Sequence, residues 1–357
     1  MTLTAQDDAP VLIDPLERHR IDAEALADWL RTTEPEAARG VAIQQFQGGM
    51  SNPTFLLTLA SGRRLVLRKK PPGDLLPRAH AVDREYRVMG ALAQTAVPTP
   101  KMIAYCDDPA VIGAEFFVME HIEGRIIPPP SMGPVRREDR PALAYSLVDT
   151  LATLHNVDWR AAGLEGFGRA EGYLARQTAR WSKQYEASKV DLPADFDYSQ
   201  MDWLRDWLMA NSGTADESAI VHGDFRLGNV VVHPTEPRVI AVLDWELSTI
   251  GHPLADLAYT CLPYHLPEDP PRILDLHTAG LPDEDRILSR YCEQTGRDGI
   301  PDWPLFMAFA CFRYAAIIQG VAARAARGNV SSASADPEAD GLRARNVAAV
   351  GARIARG

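Results

Sequence analysis

Two short apolar runs, each ending in polar residues, decide the fold of this chain. The first reads IVHGDFRLGNVVV, residues 220–232, and the second reads VIAVLDWE, residues 239–246. Asp224 and Asn229 are five residues apart, and Asp244 closes the second apolar run. Phosphoryl transfer needs one carboxylate to orient the attacking hydroxyl, and it needs an amide and a second carboxylate to hold magnesium against the phosphates. The order of these residues therefore predicts an ATP- and magnesium-dependent phosphotransferase.

The same spacing occurs in the catalytic loop of protein kinases, H-R-D-L-x-x-x-N, and Asp244 stands where those enzymes carry the metal-binding Asp of D-F-G. Each part alone has a plain structural explanation. Any loop can hold a His-Gly-Asp triplet, and an Asp at the end of a strand often caps a helix. The order of the parts, with apolar runs on both flanks, favours the kinase-like interpretation.

Hydrophobic periodicity predicts an α+β, bilobal, protein-kinase-like fold. Strands are predicted at Val41–Gln47, Thr54–Ala60, Arg64–Lys69, Lys101–Tyr105 and Phe116–Ile122, with helices at Ile21–Arg31 and Ala79–Ala96. Past Gly124 helical patterns dominate, at residues 137–155, 173–187, 201–209 and 302–327. We expect an N-terminal lobe with a small antiparallel sheet at residues 1–122, and a larger, mostly helical C-terminal lobe at residues 123–357.

The first lobe offers candidates for nucleotide binding. The loop QGGMSN, residues 47–52, lies between two strands, where glycines let the backbone approach a polyphosphate, although an ordinary hairpin loop would look the same. Its candidate residues are Gly48, Gly49, Ser51 and Asn52.

The third predicted strand supplies a basic residue. LVLR, residues 65–68, has the form of V-A-I-K in kinases, with arginine at the place of the lysine. Strand alternation points Arg68 and Lys70 to one side and Lys69 to the other, and we prefer Arg68. Glu85 on the next helix is its expected partner, with a solvated charged face as the alternative.

Composition excludes several classes of protein. The chain has 357 residues, 46% hydrophobic and 24% charged, which is typical of a globular protein. A formal charge of -11 argues against nucleic-acid binding, which needs a basic surface. The four cysteines have neither zinc-site nor disulfide spacing, and we interpret them as reduced and buried. No signal peptide and no uncharged stretch of ~20 apolar residues is evident, so we expect a cytoplasmic protein that does not cross a membrane.

The chain resembles the aminoglycoside phosphotransferase and choline kinase superfamily, which shares the protein-kinase-like fold. The particular likeness is to the kinase domain fused to acyl-CoA dehydrogenases of family members 10 and 11, and to free-standing bacterial relatives. The matching segments are GMSNPTF (49–55), VLRKKPPG (66–73), DREY (83–86), FVMEHIEG (117–124), HGDFRLGN (222–229) and LDWELSTIGHPLAD (243–256).

This resemblance implies roles for single residues. Asp224 would be the catalytic base, and Asn229 and Asp244 would bind magnesium. The stretch from Glu120 to Ile122 would be the hinge that faces adenine.

Further roles follow from the same resemblance. Arg226, two residues after the base, would steady the transferring phosphoryl group. Asp256 would be a buried structural acid that ties the catalytic segment together. Glu246 is either a metal or substrate contact or a solvent-facing acid. His155, at the end of a predicted helix, is interpreted as structural.

Three hypotheses about activity remain. The first is a kinase of a small molecule, a 4-hydroxyacyl-CoA, as the subfamily likeness implies. The second is a kinase of an aminoglycoside or another cationic alcohol. The third is a pseudokinase that binds a nucleotide without catalysis. Residues 63–101 carry nine basic and three acidic residues, which suits the phosphates of ATP or CoA. Residues 188–218 carry seven acidic and two basic residues, which suits a cationic acceptor or a solvated face. The sequence leaves the oligomeric state open.

Overall fold

The structure is a computed structural model that describes residues 11–47, 52–72, 81–127, 135–189, 196–213, 217–266, 280–327 and 336–357. The strands are β1 Leu12–Ile13, β2 Val41–Phe46, β3 Thr54–Leu59, β4 Arg64–Lys69, β5 Met102–Cys106, β6 Phe116–Glu120, β7 Ala219–Val221, β8 Val230–Val232, β9 Val239–Val242 and β10 Thr249–Gly251. The helices are α1 Ala23–Leu30, α2 Val82–Leu92, α3 Pro109–Ile112, α4 Arg140–His155, α5 Tyr173–Lys189, α6 Ser199–Asn211, α7 Pro253–Cys261, α8 Glu284–Thr295, α9 Trp303–Ala326 and α10 Pro337–Arg356.

The fold is α+β, as predicted. Six strands form one antiparallel sheet in the order β1-β2-β3-β4-β6-β5, and all five strands predicted for the first lobe are in it. The sixth, β1, pairs with β2 along only two residues. A strand that short carries no periodicity, so the sequence pattern did not predict it.

The hairpin of β3 and β4 fixes which side chains face the core. Gly62 has φ +85, which lets the chain turn tightly after β3. Leu65 and Leu67 then point to the same side as Phe55, where they pack in one buried cluster with Leu26 of α1. Because side chains alternate along a strand, Arg68 lies on the opposite face of the sheet.

The chain divides into two compact units. Unit 1 comprises the described residues within 1–128, 160–164 and 227–248, and unit 2 comprises those within 129–159, 165–226 and 249–357. The lobe boundary predicted from the sequence, after residue 122, puts residues 227–248 in the second lobe. The strands of that segment instead belong to unit 1, because Arg125 and Val232 exchange backbone hydrogen bonds of 2.7 and 2.8 Å and the Val242 amide donates to the Pro98 carbonyl at 2.9 Å.

Unit 2 is built around α9, which packs against α5, α6, α7 and α10. In the part of the chain that the structure describes, this is the one helix long and apolar enough to cross a membrane by length and composition. Of its most apolar window, however, 83% is buried inside the protein, as in a core helix. A basic residue, Arg313, is also buried in it, with 4% exposed.

Candidate active site

The predicted base lies in a short loop of unit 2. We call residues 222–226, which follow β7, the base loop. Gly223 has φ +84, a left-handed conformation that favours glycine. The Asp224 amide donates to His222 Nδ1 at 3.2 Å, so the turn is closed by its own residues. This local geometry sets the direction in which the chain presents Asp224.

A buried carboxylate anchors the base loop. Asp256 of α7 is 2% exposed and accepts hydrogen bonds from the backbone amides of His222, at 2.5 Å, and of Gly223, at 2.8 Å. Burial alone would raise the pKa of Asp256, but His155, His222 and the Gly223 amide hold this pKa below its usual value. The residue is therefore a charged anchor, in the structural role that the family resemblance implied.

His155 belongs to the same buried network. It is the last residue of α4, and its Nε2 lies 3.6 Å from the Asp256 carboxylate. Its Nδ1 lies 2.7 Å from the hydroxyl of Tyr291 on α8. His155 thus connects two helices to the anchor of the base loop, which agrees with the structural interpretation of this residue.

The side chain of Asp224 has a basic neighbour in the loop. Arg226 Nε donates to Asp224 Oδ2 at 3.1 Å, and the Arg226 side chain is 41% exposed. The guanidinium therefore contacts the base itself. The role predicted for Arg226 on a transferring phosphoryl group stays a prediction.

Two residues near the base were missed in the sequence. Tyr259 of α7 is hydrogen-bonded to the Asp224 side chain, and burial together with the Asp224 charge raises the pKa of this phenol. Arg313 of α9 donates through Nη2 to the carbonyl of Gly223. The signal for Arg313 was present in the sequence, because it is a lone charge in the middle of the apolar run LFMAFACFRYAAII, residues 305–318.

Unit 1 holds a second group of polar side chains, which we call the carboxylate cluster: Arg68, Glu85, Asp244 and Asn52. Arg68 Nη2 lies 2.9 Å from Asp244 Oδ1 and 3.3 Å from Glu85 Oε1. Arg68, rather than Lys69 or Lys70, is thus the partner of Glu85. Burial would lower the pKa of Arg68, but the charges of Glu85 and Asp244 more than offset it and raise this pKa.

Glu85 is fully buried at the centre of this cluster. Burial is the largest cause that raises its pKa, to about 7; Arg68 opposes the shift, and the charges of Asp244 and Glu246 add to it. Asn52 Nδ2 donates to Glu85 Oε1 at 2.9 Å, and Asn52 is itself 3% exposed. Asn52, predicted as a nucleotide contact, therefore joins the end of the 47–52 loop to the Arg68–Glu85 pair.

The two predicted magnesium ligands come from neighbouring strands. Asn229 precedes β8 and Asp244 follows β9, and these strands pair with Val230 opposite Val242. The Leu243 amide donates to the Asn229 carbonyl at 2.8 Å. The antiparallel pairing thus brings both residues to the same end of the ribbon. Asp244 has φ 65 and ψ 61, a left-handed conformation that aspartate adopts more readily than most residues.

An amide oxygen and a carboxylate fit magnesium, which prefers oxygen ligands and is usually bound by one or two carboxylates, water and substrate phosphates. Among the described residues no group of three or more His, Cys, Asp or Glu is placed to hold a metal by itself.

The structure does not test the remaining residues that were predicted to contact the nucleotide. Gly48, Gly49 and Ser51 lie outside the described residues. Glu120 ends β6 with an exposed side chain, its amide donates to the Lys101 carbonyl at 2.9 Å, and Ile122 is half-buried. Their predicted contact with adenine stays a prediction.

Comparison with known proteins identifies relatives of the chain. The profile of the phosphotransferase enzyme family, APH, matches residues 42–289. Acyl-CoA dehydrogenase family member 11 of Rattus norvegicus is 44% identical over 331 residues, which cover 90% of this chain and 42% of that protein. The chain thus spans about two fifths of the length of this curated relative.

Solved structures show the same relationship. A protein of Ralstonia eutropha JMP134, provisionally described as an aminoglycoside phosphotransferase, is 41% identical with a TM-score of 0.82, covering 94% of this chain and 99% of that one. A thermostable mutant of an aminoglycoside phosphotransferase, in a ternary complex with AMP-PNP and hygromycin B, has a TM-score of 0.62 at 15% identity, covering 93% and 99% of the two chains. At that identity the likeness shows the fold.

Proposed function

Because the chain belongs to the phosphotransferase enzyme family, we propose that it transfers the γ-phosphoryl group of MgATP to a hydroxyl group, namely that of a hydroxyacyl-CoA and preferably a 4-hydroxyacyl-CoA. The observation that carries the acceptor is the identity of 44% to a protein named as an acyl-CoA dehydrogenase, over 90% of this chain. The AMP-PNP bound by a structural neighbour supports ATP as the donor.

In the proposed reaction the acceptor hydroxyl attacks the γ-phosphorus. The new O–P bond forms as the bond to the β-phosphate oxygen breaks, and ADP leaves. The hydroxyl proton goes to the carboxylate of Asp224, whose position is fixed by the base loop. Asn229 and Asp244 would hold the magnesium ion, which neutralises charge on the phosphates when bound.

The cluster around Arg68 has a separate task in this scheme. Its guanidinium already lies between two carboxylates, Glu85 and Asp244. The buried Glu85, which itself accepts a hydrogen bond from Asn52, holds the guanidinium from one side. An arginine fixed in this way offers two-pronged contacts to phosphate oxygens.

Ion pairs in the structure weaken the argument that the charge counts of the sequence made for either acceptor. In the basic segment 63–101, Arg63, Arg64 and Lys70 form ion pairs with carboxylates from outside that segment, namely Glu34, Glu123 and Glu115. These cations are therefore partly neutralised, and the acyl-CoA proposal rests on the relative rather than on charge.

Some carboxylates of the acidic segment 188–218 are already paired, which weakens the case for a cationic acceptor. Within the segment, Asp202 lies 2.6 Å from Lys189 and 3.0 Å from Arg205, and Arg205 also pairs with Asp206. Glu217 pairs with Arg297, a contact that lowers the pKa of this carboxyl. An aminoglycoside would have to compete with these cations.

An aminoglycoside nevertheless remains the second candidate acceptor, since the relative from Ralstonia eutropha is described by that activity. The two candidates are separated by steady-state kinetics with MgATP on three panels: 4-hydroxyacyl-CoA thioesters, the matching free hydroxy acids, and aminoglycosides including hygromycin B. We expect kcat/KM to be at least about a hundredfold higher for the thioesters, because binding energy from the remote CoA moiety helps to position the small hydroxyl. Equal kcat/KM for aminoglycosides or free acids would refute the acyl-CoA proposal.

A further inference from the structure

A buried arginine, which lies next to two aromatic side chains, contacts the peptide that precedes the predicted base. Arg313 is 4% exposed, and its Nη2 donates to the carbonyl of Gly223. The other end of the Gly223 residue is also held, because its amide donates to Asp256. Gly223 is thus fixed at both its amide and its carbonyl, one residue before Asp224.

The guanidinium of Arg313 lies over two aromatic rings. Its Cζ is 4.8 Å from the ring centre of Tyr259 and 5.4 Å from that of Trp181. A cation over a ring face is attracted by the ring, and the planar guanidinium loses few orientations when it forms a hydrogen bond. Arg313 is therefore held rigidly as well as being buried.

Helix α7 contacts the base loop next to this stack. Thr260 Oγ1 donates to the carbonyl of Phe225 at 2.9 Å, so the residue after the predicted base is also in contact with this helix. The neighbouring Tyr259 reaches the Asp224 side chain itself, and the pKa of its phenol is raised by burial and by the charge of that carboxylate. A phenol whose pKa is raised stays protonated and remains a hydrogen-bond donor.

From this geometry we infer that Arg313 and Tyr259 are positioning residues for the base: Arg313 fixes the peptide from which Asp224 projects, and the ring that it stacks on holds the Asp224 carboxylate. The inference rests on the proposed role of Asp224 as the base. It does not depend on which hydroxyl compound is the acceptor.

An arginine with a purely structural role would be unfavourable at this position. Burying a single charge in an apolar helix costs desolvation free energy, and hydrophobic side chains of similar volume are often at least as stabilising. Its Nε, moreover, has no hydrogen-bond partner among the described residues. Placement of the base loop is a function that offsets this cost.

The test compares Arg313→Met, Arg313→Lys and Tyr259→Phe with wild type, using whichever acceptor of the three panels the wild type phosphorylates best, or water if none is used. We expect kcat to fall about a hundredfold in Arg313→Met, since small misplacements of catalytic groups have effects of that size. Tyr259→Phe should fall about tenfold, and Arg313→Lys should recover part of the loss. The dissociation constant of MgATP should stay within a factor of about three in all of them.

The decisive readout is coupling to the base. Residues that act only through Asp224 have little left to disturb once it is gone, so Arg313→Met should lower the residual rate of Asp224→Asn by less than about threefold. The control Arg290→Met removes a half-buried arginine elsewhere in unit 2, which binds Asp149, and should leave kcat within about threefold of wild type. A hundredfold loss in both backgrounds, or more than a third of wild-type kcat in Arg313→Met, overturns the inference. If Arg313→Met does not fold, the same comparison with Arg313→Lys and Tyr259→Phe decides.

Discussion

Asp224 in the base loop and Asp244 in the carboxylate cluster each lie beside an arginine. The two pairs differ in how far apart their members are in the sequence. Arg226 is two residues from its partner and 41% exposed. Arg68 is 176 residues from Asp244, 11% exposed, and shared with the buried Glu85. An exposed pair contributes at most about 1 kcal/mol, whereas breaking a buried pair costs about 3–5 kcal/mol. The ion pair of Asp224 therefore contributes little to stability, which suits its proposed role as the base, whereas the cluster is also part of the structure of unit 1.

The largest effect expected from this difference is on turnover. Asp224→Asn should lower kcat by about 10²–10⁴-fold, since a positioned general base contributes that much. Stability should change by about 1 kcal/mol or less, because the ion pair with the half-exposed Arg226 is weak and the carboxamide oxygen of the variant can still accept a hydrogen bond from Tyr259. The measurement is kcat together with chemical denaturation. A variant with more than a third of wild-type kcat would remove Asp224 from the role of base.

The second effect should be on stability and should come from unit 1. Arg68→Met leaves Glu85 buried without its cation and should lower the free energy of unfolding by roughly 3 kcal/mol. In the double variant Arg68→Met/Glu85→Gln most of this loss should return, because the glutamine carries no charge and its oxygen can still accept the hydrogen bond from the buried Asn52. Urea denaturation measures both. A double variant no more stable than the single one would show that the pair is not the origin of the loss.

A third prediction concerns the anchor of the base loop. Asp256→Asn replaces one of two acceptor oxygens by an amide donor, which faces the backbone amide of His222 or Gly223. The free energy of unfolding should fall by roughly 2 kcal/mol, as for a lost hydrogen bond to a buried charge. Asp149→Asn is the control, because it removes a more exposed carboxylate that binds Arg290. Equal losses in both variants would mean that Asp256 is not a special anchor.

The smallest effect is a pH dependence of stability. The pKa of Glu85 is about 7 in the folded protein, against an ordinary value of 4.5, chiefly because of burial. Between these values the folded protein holds a proton that the unfolded chain releases, so raising the pH across this window destabilises the fold. Relative to Glu85→Gln, wild type should lose about 2 kcal/mol or less between pH 5 and pH 7.5, measured by denaturation at both values.

The control for this titration is Glu123→Gln, which removes an exposed carboxylate that binds Arg64. Its stability relative to wild type should not depend on pH in the same window. A constant difference between wild type and Glu85→Gln would contradict the assignment of the titration to Glu85.

What the sequence could predict follows the same division between local and distant contacts. The strands, α2 and the residues Asp224, Asn229 and Asp244 depend on patterns of a few residues. The pairing of Arg68 with Glu85 was predicted because strand alternation is also local. Arg313 and Tyr259 were missed because their contacts with the base loop join α9 and α7 to it across long stretches of chain. The placement of 227–248 in unit 1 depends in the same way on strand contacts with Pro98 and Arg125.

In the proposed mechanism Asp244 serves the nucleotide and its metal, whereas Asp224 serves the acceptor. Isothermal titration calorimetry of MgATP binding to wild type, Asp224→Asn and Asp244→Ala tests this difference most directly. We expect a dissociation constant within about threefold of wild type for Asp224→Asn, and one weakened at least about tenfold for Asp244→Ala, which loses a proposed metal ligand. Equal MgATP affinity in all three proteins would contradict it.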